Sequence, residues 1–114
     1  MIVSNMLKNN QITIEELKEK YGLDIKEYSD RYIFNYNQID SYKYRFDPIV
    51  CECRALILDK DYNILHRSFD RFFNYNEDPN TANFNIQNAI CDEKLDGTLI
   101  GIYFDNVSII SVKL

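Results

Sequence analysis

The sequence predicts an α+β domain with an N-terminal helix followed by mainly antiparallel strands. One early segment has apolar residues at helical spacing with capping signals at both ends, and later segments rich in aromatic and β-branched residues are separated by turn signals. Strand patterns do not alternate with helical ones, so a parallel sheet is not expected. A chain of 114 residues has room for one core, and we expect a single domain over residues 1–114.

The predicted helix spans Ile14–Tyr21. Thr13 and Glu16 form a capping-box pattern at its start, and Gly22 is a typical residue just after a helix. The charged stretch at 23–30 fits either a second short helix or a loop.

Strand patterns begin at Arg31–Tyr36, where aromatic and β-branched residues are bounded by turn formers. The polar-aromatic stretch 41–48 ends in Asp-Pro, which disfavours helix at the preceding residue and predicts a connection. A strand is then expected at Glu52–Asp59, because its apolar run fits burial on both faces. The spacing of Cys51 and Cys53 would place both thiols on one face of a strand.

The remaining strand patterns lie in the second half of the chain. A turn at Asp61–Asn63 should lead into a hairpin partner at Ile64–Arg67. Two apolar runs follow at Ala89–Leu95 and Thr98–Phe104, and Val107–Val112 is the last predicted strand. We expect this last strand to form an exposed edge or to pair with a segment outside the sequence.

Composition and charge restrict the function. A net charge of −5 means that any nucleic-acid binding must use a local basic site. Three cysteines without a secretory signal or a long apolar run predict a reducing, cytoplasmic compartment and no membrane span. Cys51 and Cys53 have only Cys91 and His66 as further candidate ligands, which lacks the paired spacing of a zinc site. We therefore predict semi-buried thiols and no metal site.

The segment Glu93–Leu99 contains Lys-x-Asp-Gly, a pattern with two interpretations. Lys94 could act as a nucleophile that attacks the α-phosphate of ATP and holds AMP as a phosphoramidate. Gly97 would let the backbone approach a phosphate or adopt a positive φ. Equally, Asp-Gly between two apolar runs is a hairpin signal, with Lys94 as a solvated flank. The motif alone leaves both interpretations open.

Other side chains suit a phosphate site. The predicted hairpin would bring Arg54 and Arg67 onto neighbouring strands, and Arg71 follows four residues after Arg67. Guanidinium groups hold phosphate oxygens bidentately, and the Tyr36 ring offers a stacking face for a base. Each also has a structural interpretation, because arginine stems cover apolar surface and Tyr36 could simply pack in the fold.

Four blocks of the sequence resemble one known family in order and spacing. The blocks are Arg31–Asn37, Glu52–Arg54, Arg67–Glu77 and Glu93–Leu99. They resemble the RNA ligases of the bacteriophage T4 RNA ligase 1 family, whose Glu-Cys-Arg and Phe-Phe-Asn-x-Asn-Glu blocks set it apart from DNA ligases and mRNA capping enzymes. The resemblance implies an ATP-dependent RNA ligase with a nucleotidyltransferase fold.

The resemblance also implies roles for single residues. Lys94 matches the lysine that ATP adenylates before AMP passes to an RNA 5′-phosphate and a 3′-hydroxyl displaces it. Arg54 matches an arginine that lies against the nucleotide phosphates, and Tyr36 matches a tyrosine of the ATP pocket. Arg71 stands at the position where the T4 enzyme has lysine, so a planar guanidinium group replaces the compact ammonium group of lysine. The expected nucleotide-binding set is completed by the motif residues Glu93, Asp96 and Gly97.

The same resemblance implies that the sequence holds only part of an enzyme. The family's later motifs carry metal-binding carboxylates and a basic strand that are absent here, so Mg²⁺ ligands are expected mainly outside this chain. We expect an N-terminal ligase fragment from a truncated or split gene, acting on ATP and RNA ends with a second chain supplying the remaining motifs. The alternative is a nucleotide-binding or complementation fragment without chemistry of its own. A phage-like protein of this kind would act in the host cytoplasm.

Overall fold

The computed structural model describes residues 1–79 and 84–113. Within these ranges the helices are α1 (Ile2–Lys8), α2 (Ile14–Tyr21) and α3 (Pro48–Glu52), and the strands are β1 (Leu23–Glu27), β2 (Arg31–Tyr36), β3 (Arg54–Asp59), β4 (Ile64–His66), β5 (Ile100–Phe104) and β6 (Ile109–Lys113). One sheet has the order β1-β2-β3-β4, and β5 pairs with β6 in a second. All of these pairings are antiparallel, which confirms the predicted α+β class.

Helix α2 has the predicted bounds and caps. The Thr13 hydroxyl accepts a hydrogen bond from the Glu16 backbone N–H (3.1 Å), and the Glu16 carboxylate accepts one from the Thr13 backbone N–H (2.9 Å). Gly22 ends the helix in the left-handed region with φ of 65°. A Cβ at this position would also lie 2.4 Å from the backbone oxygen of Asp40, so the turn needs glycine for two reasons.

Helix α1 was not predicted, because a residue far along the chain holds its first turn. The Glu52 carboxylate accepts hydrogen bonds from the backbone N–H groups of Ile2 (2.9 Å) and Val3 (3.0 Å). These donors are among those that every helix start leaves without an internal partner. Val3 and Leu7 are buried, so the helix is stabilised by tertiary contacts rather than by a local cap.

Residues 23–27 form a strand, so the expectation of a short helix or loop was wrong. β1 pairs with β2 along its whole length, from Leu23 opposite Tyr36 to Glu27 opposite Tyr32. Leu23 is buried while the charged residues of β1 are exposed. Pairing with an aromatic partner strand decides the structure of a segment whose own preference is weak.

Helix α3 takes in the last residue of the predicted connection, Pro48, and the first residue of the predicted strand, Glu52. The Asp47 side chain accepts a hydrogen bond from the Ile49 backbone N–H (2.9 Å), and Pro48 occupies the first helical turn. Cys51 therefore lies in α3 and Cys53 directly follows it, so the expected placement of both thiols on one strand face was wrong. Burial raises the pKa of the Cys53 thiol well above its usual range, which keeps the thiol protonated.

The core lies between the helices and one face of the four-stranded sheet. Strand β3 is central: Ala55, Leu56, Ile57 and Leu58 are all buried, as its apolar run predicted. The buried cluster that joins the helices to the sheet consists of Val3, Leu7, Ile12, Ile14, Leu17, Tyr21, Leu23, Phe34, Ile49, Val50, Cys53, Leu56 and Leu58.

The hairpin turn in the second sheet lies later than the Asp-Gly pair. The Asp105 carboxylate accepts hydrogen bonds from the backbone N–H groups of Val107 (3.0 Å) and Ser108 (2.7 Å) and so holds the β5–β6 turn. The stretch Ala89–Leu95 forms no strand, so Asp96–Gly97 is not a turn between paired strands. The hairpin interpretation of the lysine motif was therefore wrong.

Aromatic and polar contacts join the two sheets. The ring centroids of His66 and Tyr103 lie 5.8 Å apart in a stacked arrangement. Arg31 donates a hydrogen bond to the Tyr103 hydroxyl and lies 4.0 Å from the Asp105 carboxylate. Burial lowers the pKa of His66, which favours the neutral imidazole.

Candidate functional site

The candidate site is built on the β2–β3 pair. Tyr36 ends β2 and Arg54 begins β3, and the backbone N–H of Tyr36 donates to the carbonyl of Cys53 (2.6 Å). The pairing register shifts at this point, where Ala55 adopts a positive φ of 52° and donates its N–H to the Asn35 side chain (2.8 Å). This is a conformation that glycine adopts most easily, and here it accompanies the irregular pairing of β2 with β3.

The segment after β4 brings a second arginine to the same place. The Arg71 backbone N–H donates to the carbonyl of Cys51 at the end of α3 (2.8 Å). The guanidinium of Arg71 lies 4.4 Å from the ring centroid of Tyr36 and 5.1 Å from that of Phe73. Contacts of this length between a guanidinium and aromatic rings hold the cation in place.

Both arginines have unused hydrogen-bond donors. Arg54 lies 5.0 Å from the ring centroid of Phe72. The Nη1 atoms of Arg54 and Arg71 are buried and have no hydrogen-bond partner among the described residues. Buried donors are nearly always paired in proteins, so two unpaired Nη1 atoms in one region suit the binding of a ligand with acceptor oxygens. Oxygen atoms of a phosphate would satisfy them.

Lys94 reaches this region from the irregular segment before β5. It lines a cavity of about 510 Å³ together with Tyr36, Arg71 and Glu77. A neighbouring cavity of about 350 Å³ is lined by Arg54 and also contacts Tyr36. The structure thus gathers Tyr36, Arg54, Arg71 and Lys94 around two adjoining spaces.

The other predicted residues lie further out. Glu93, Asp96 and Gly97 are exposed and do not belong to the lining of the Lys94 cavity. Gly97 has a φ of 153°, a backbone conformation that favours glycine. Arg67 is also exposed, and its guanidinium pairs with the Asp70 carboxylate at 2.9 Å, so it does not join Arg54 as the predicted hairpin suggested.

Phe72 and Phe73 were not predicted as site residues. Both flank the cavities, and Phe72 packs on Arg54 while Phe73 packs on Arg71. The signal was present in the sequence, because two adjacent aromatic residues directly follow Arg71 in the third block of the resemblance. One pair of adjacent residues thus contacts two different arginines.

The chemistry of this lining suits one class of ligand. Two guanidinium groups supply hydrogen-bond donors for a phosphate, aromatic rings supply faces for a flat base, and Lys94 supplies an amine.

Among residues 1–79 and 84–113, no group of three or more His, Cys, Asp or Glu side chains could hold a metal ion. In the same part of the chain, no helix has the length and apolar character needed to cross a membrane. The fold and site thus define an α+β protein with a candidate pocket for a phosphorylated aromatic ligand.

Comparison with known proteins agrees with this class. The model of an RNA ligase family of the T4 RNA ligase 1 type matches residues 52–112, which contain Arg54, Arg71 and Lys94. A putative bifunctional polynucleotide kinase/RNA ligase of Autographa californica nuclear polyhedrosis virus is 37% identical over 113 residues, which is 89% of this chain and 16% of the viral protein. The chain belongs to this RNA ligase family. It spans only 16% of the length of that relative, and no solved structure matches it.

Proposed function

We propose that residues 1–114 form part of the nucleotidyltransferase domain of an ATP-dependent RNA ligase, with Lys94 as the residue that carries AMP. The observation that supports this most is the meeting of Lys94, Arg71 and Tyr36 around one cavity, although Lys94 lies 23 residues from Arg71 and 58 from Tyr36 in the sequence. The viral relative is named as a kinase/RNA ligase, which favours RNA ends as the substrate.

The proposed roles follow from the contacts. The unpaired Nη1 groups of Arg54 and Arg71 would bind the phosphates of ATP. The rings of Tyr36 and Phe72, each already beside a guanidinium, would pack against the base or hold those guanidinium groups in position. Lys94 lines the same cavity as Arg71 and would face the α-phosphate. Arg71 would act in place of the lysine of the T4 enzyme, and its guanidinium group could bind two phosphate oxygens at once.

The proposed reaction has three steps. The free amine of Lys94 attacks the α-phosphorus of ATP, so a P–N bond forms, the P–O bond to the β-phosphate breaks, pyrophosphate leaves and the amine proton passes to solvent. A 5′-phosphate oxygen of RNA then displaces Lys94 and takes AMP through a new P–O bond. Finally the 3′-hydroxyl attacks that 5′-phosphate, AMP leaves and the strands are joined. Mg²⁺ would neutralise charge on the phosphates, and we propose that its ligands come mainly from another chain or segment.

The first prediction concerns Lys94. Incubation with Mg²⁺ and ATP labelled in its α-phosphate, in the presence of the remaining ligase motifs, should attach label to the protein. Lys94→Arg should reduce the label to background, because the guanidinium is a poor nucleophile that stays protonated. Lys26→Arg, at an exposed position in β1, is the matched control and should label like the unchanged chain.

Persistence of the label in Lys94→Arg would exclude Lys94 as the nucleophile.

The second candidate function is a nucleotide-binding or complementation fragment. It is favoured by the unpaired Nη1 atoms of Arg54 and Arg71, which could bind phosphate whether or not Lys94 reacts. In that case calorimetry would detect ATP binding while no label appears under any condition. We propose the cytoplasm of a host cell as the setting, and the viral source of the relative is consistent with a host cell.

A further inference from the structure

A continuous row of aromatic rings and guanidinium groups runs from the Lys94 cavity to the protein surface. Arg45 is the outer cation of this row and lies 4.1 Å from the ring centroid of Tyr42 and 4.4 Å from that of Phe46. The rings of Phe46 and Phe73 lie 4.8 Å apart, and Phe73 is the ring beside Arg71. We call this row the aromatic ladder, and its members are Tyr42, Arg45, Phe46, Phe73, Arg71 and Tyr36.

The inner end of the ladder belongs to the proposed ATP site. Tyr36, Arg71 and Phe73 all line the cavity that contains Lys94. The middle of the ladder borders another cavity, of about 450 Å³, which is lined by Phe46 as well as by Arg71 and Phe73. The two cavities therefore share Arg71 and Phe73 as lining residues. The middle cavity is also lined by acidic residues, so its walls carry both signs of charge: Glu52, Asp70 and Asp78.

The outer end of the ladder is accessible. Tyr42 lies in the short 3₁₀ turn Tyr42–Tyr44 and is 57% exposed. Arg45 directly follows this turn and donates one hydrogen bond from Nη1 to the Tyr42 carbonyl (3.1 Å). A guanidinium has five N–H donors, so this bond orients Arg45 and leaves other donors for a ligand. Arg45 is half-buried, and Lys43 adds an exposed cation at the same turn.

This arrangement matches the needs of single-stranded nucleic acid. Proteins bind single strands by stacking bases on aromatic side chains while cations follow the backbone phosphates. The exposed face of Tyr42 offers a stacking platform, and Arg45 and Lys43 offer charge beside it. Since the chain as a whole carries a net charge of −5, such a local group of cations is what nucleic-acid binding would require.

We propose that the aromatic ladder binds a single-stranded RNA end and guides it from Tyr42 towards Lys94. The proposal rests on the proposed function, because RNA is the expected substrate only if the chain works in an RNA ligase. It goes further by assigning binding of the strand to Tyr42 and Arg45, which the sequence analysis did not single out. These two residues would act in RNA binding and have no part in the transfer of AMP to Lys94.

Fluorescence anisotropy with a short 5′-phosphorylated oligouridylate at low salt tests this assignment. Tyr42→Ala/Arg45→Ala should weaken binding at least about five-fold, the lower end of the effect of losing one base–aromatic stack. Tyr42→Phe keeps the ring and should bind like the unchanged chain. The matched control is Lys26→Ala/Tyr28→Ala, which also removes one cation and one exposed tyrosine, but near the end of β1 and just after it. This control variant should bind the oligouridylate with the same affinity as the unchanged chain.

A second measurement does not depend on the variants folding. Irradiation of the unchanged chain with an oligouridylate carrying 5-iodouridine should crosslink RNA to Tyr42, located by mass spectrometry. Crosslinks confined to other surfaces, equal affinity of both double variants, or no RNA binding by the unchanged chain would each overturn the proposal. Tyr42→Ala/Arg45→Ala should still accept AMP on Lys94. If the unchanged chain itself does not become labelled with AMP, that result would instead contradict the proposed function.

Discussion

At the scale of single residues, Gly101 of β5 lies close to the ring of His66 in β4. A Cβ added at Gly101 would lie 2.5 Å from Nε2 and 2.7 Å from Cε1 of the His66 ring. The other neighbour of that ring is Tyr103, with which it is stacked. Glycine is therefore required here by the imidazole rather than by its own backbone conformation.

We predict that Gly101→Ala lowers the free energy of unfolding by about 1 to 3 kcal/mol, the usual cost of adding a methyl group to a packed site. The added methyl must push His66 off Tyr103. Urea unfolding followed by circular dichroism measures the change. The control is the same substitution in a His66→Ala background, where the collision is absent and the cost should largely disappear. An equal cost in both backgrounds would show that the imidazole is not the cause.

The residues of the candidate site were largely predictable one at a time. Tyr36, Arg54, Arg71 and Lys94 were all named from the sequence and the family resemblance, and the structure brings them around adjoining cavities. Their pairing with Phe72 and Phe73 was not predicted. Sequence patterns indicate which residue types suit a chemistry, but which ring faces which cation depends on how the segment after β4 crosses the end of α3.

At the scale of elements, Glu52 links α1 and α3 to the candidate site. Its carboxylate holds the first turn of α1, and it is only 7% exposed. The preceding carbonyl, that of Cys51, accepts the hydrogen bond that fixes the backbone of Arg71 (2.8 Å). Loss of the Glu52 carboxylate should therefore loosen both α1 and the support of Arg71.

We predict that Glu52→Ala lowers the free energy of unfolding by about 2 to 3 kcal/mol, because two backbone donors lose a charged acceptor. Denaturant unfolding provides the measurement. The matched control is Glu19→Ala at an exposed position in α2, which should change stability by less than about 0.5 kcal/mol. If Glu52→Ala unfolds at the same denaturant concentration as the control, the carboxylate does not anchor α1.

Elements with local signals were predicted well, and elements held by distant partners were not. Helix α2 carries its own capping box and glycine stop and has the predicted bounds. Helix α1 depends on Glu52, and β1 depends on pairing with β2. The start of α3 did have a local signal, an aspartate before proline, which we interpreted as a connection because proline disfavours helix at the residue before it.

At the scale of the whole molecule, one face of the β5–β6 hairpin is apolar and exposed. Ile100, Ile102 and Phe104 alternate with buried neighbours along β5, and Ile109 lies opposite Phe104 on β6. Each of these side chains is more than half exposed. Contiguous apolar surface of this kind favours association with another protein surface.

We predict that the chain self-associates with increasing concentration and that Ile102→Lys/Ile109→Lys reduces this association. Two charges on the face would have to lose water on association, which opposes the hydrophobic gain. Sedimentation velocity over a range of concentrations is the measurement. Ile39→Lys is the control at an exposed apolar position outside the hairpin. A chain that stays monomeric at all concentrations would contradict the prediction.

By itself, the sequence determined the fold class, the central strand, helix α2, the family and the residue types of the candidate site. These features depend on local capping, on apolar runs and on ordered motifs that a single chain displays directly. Only the tertiary structure decided that Lys94 meets Arg71 and Tyr36, that the Asp-Gly pair is not a hairpin turn, and that the aromatic ladder continues to Tyr42. The physical reason is that these outcomes depend on contacts between segments far apart in the chain, whose geometry is set by packing on the sheet rather than by any local preference.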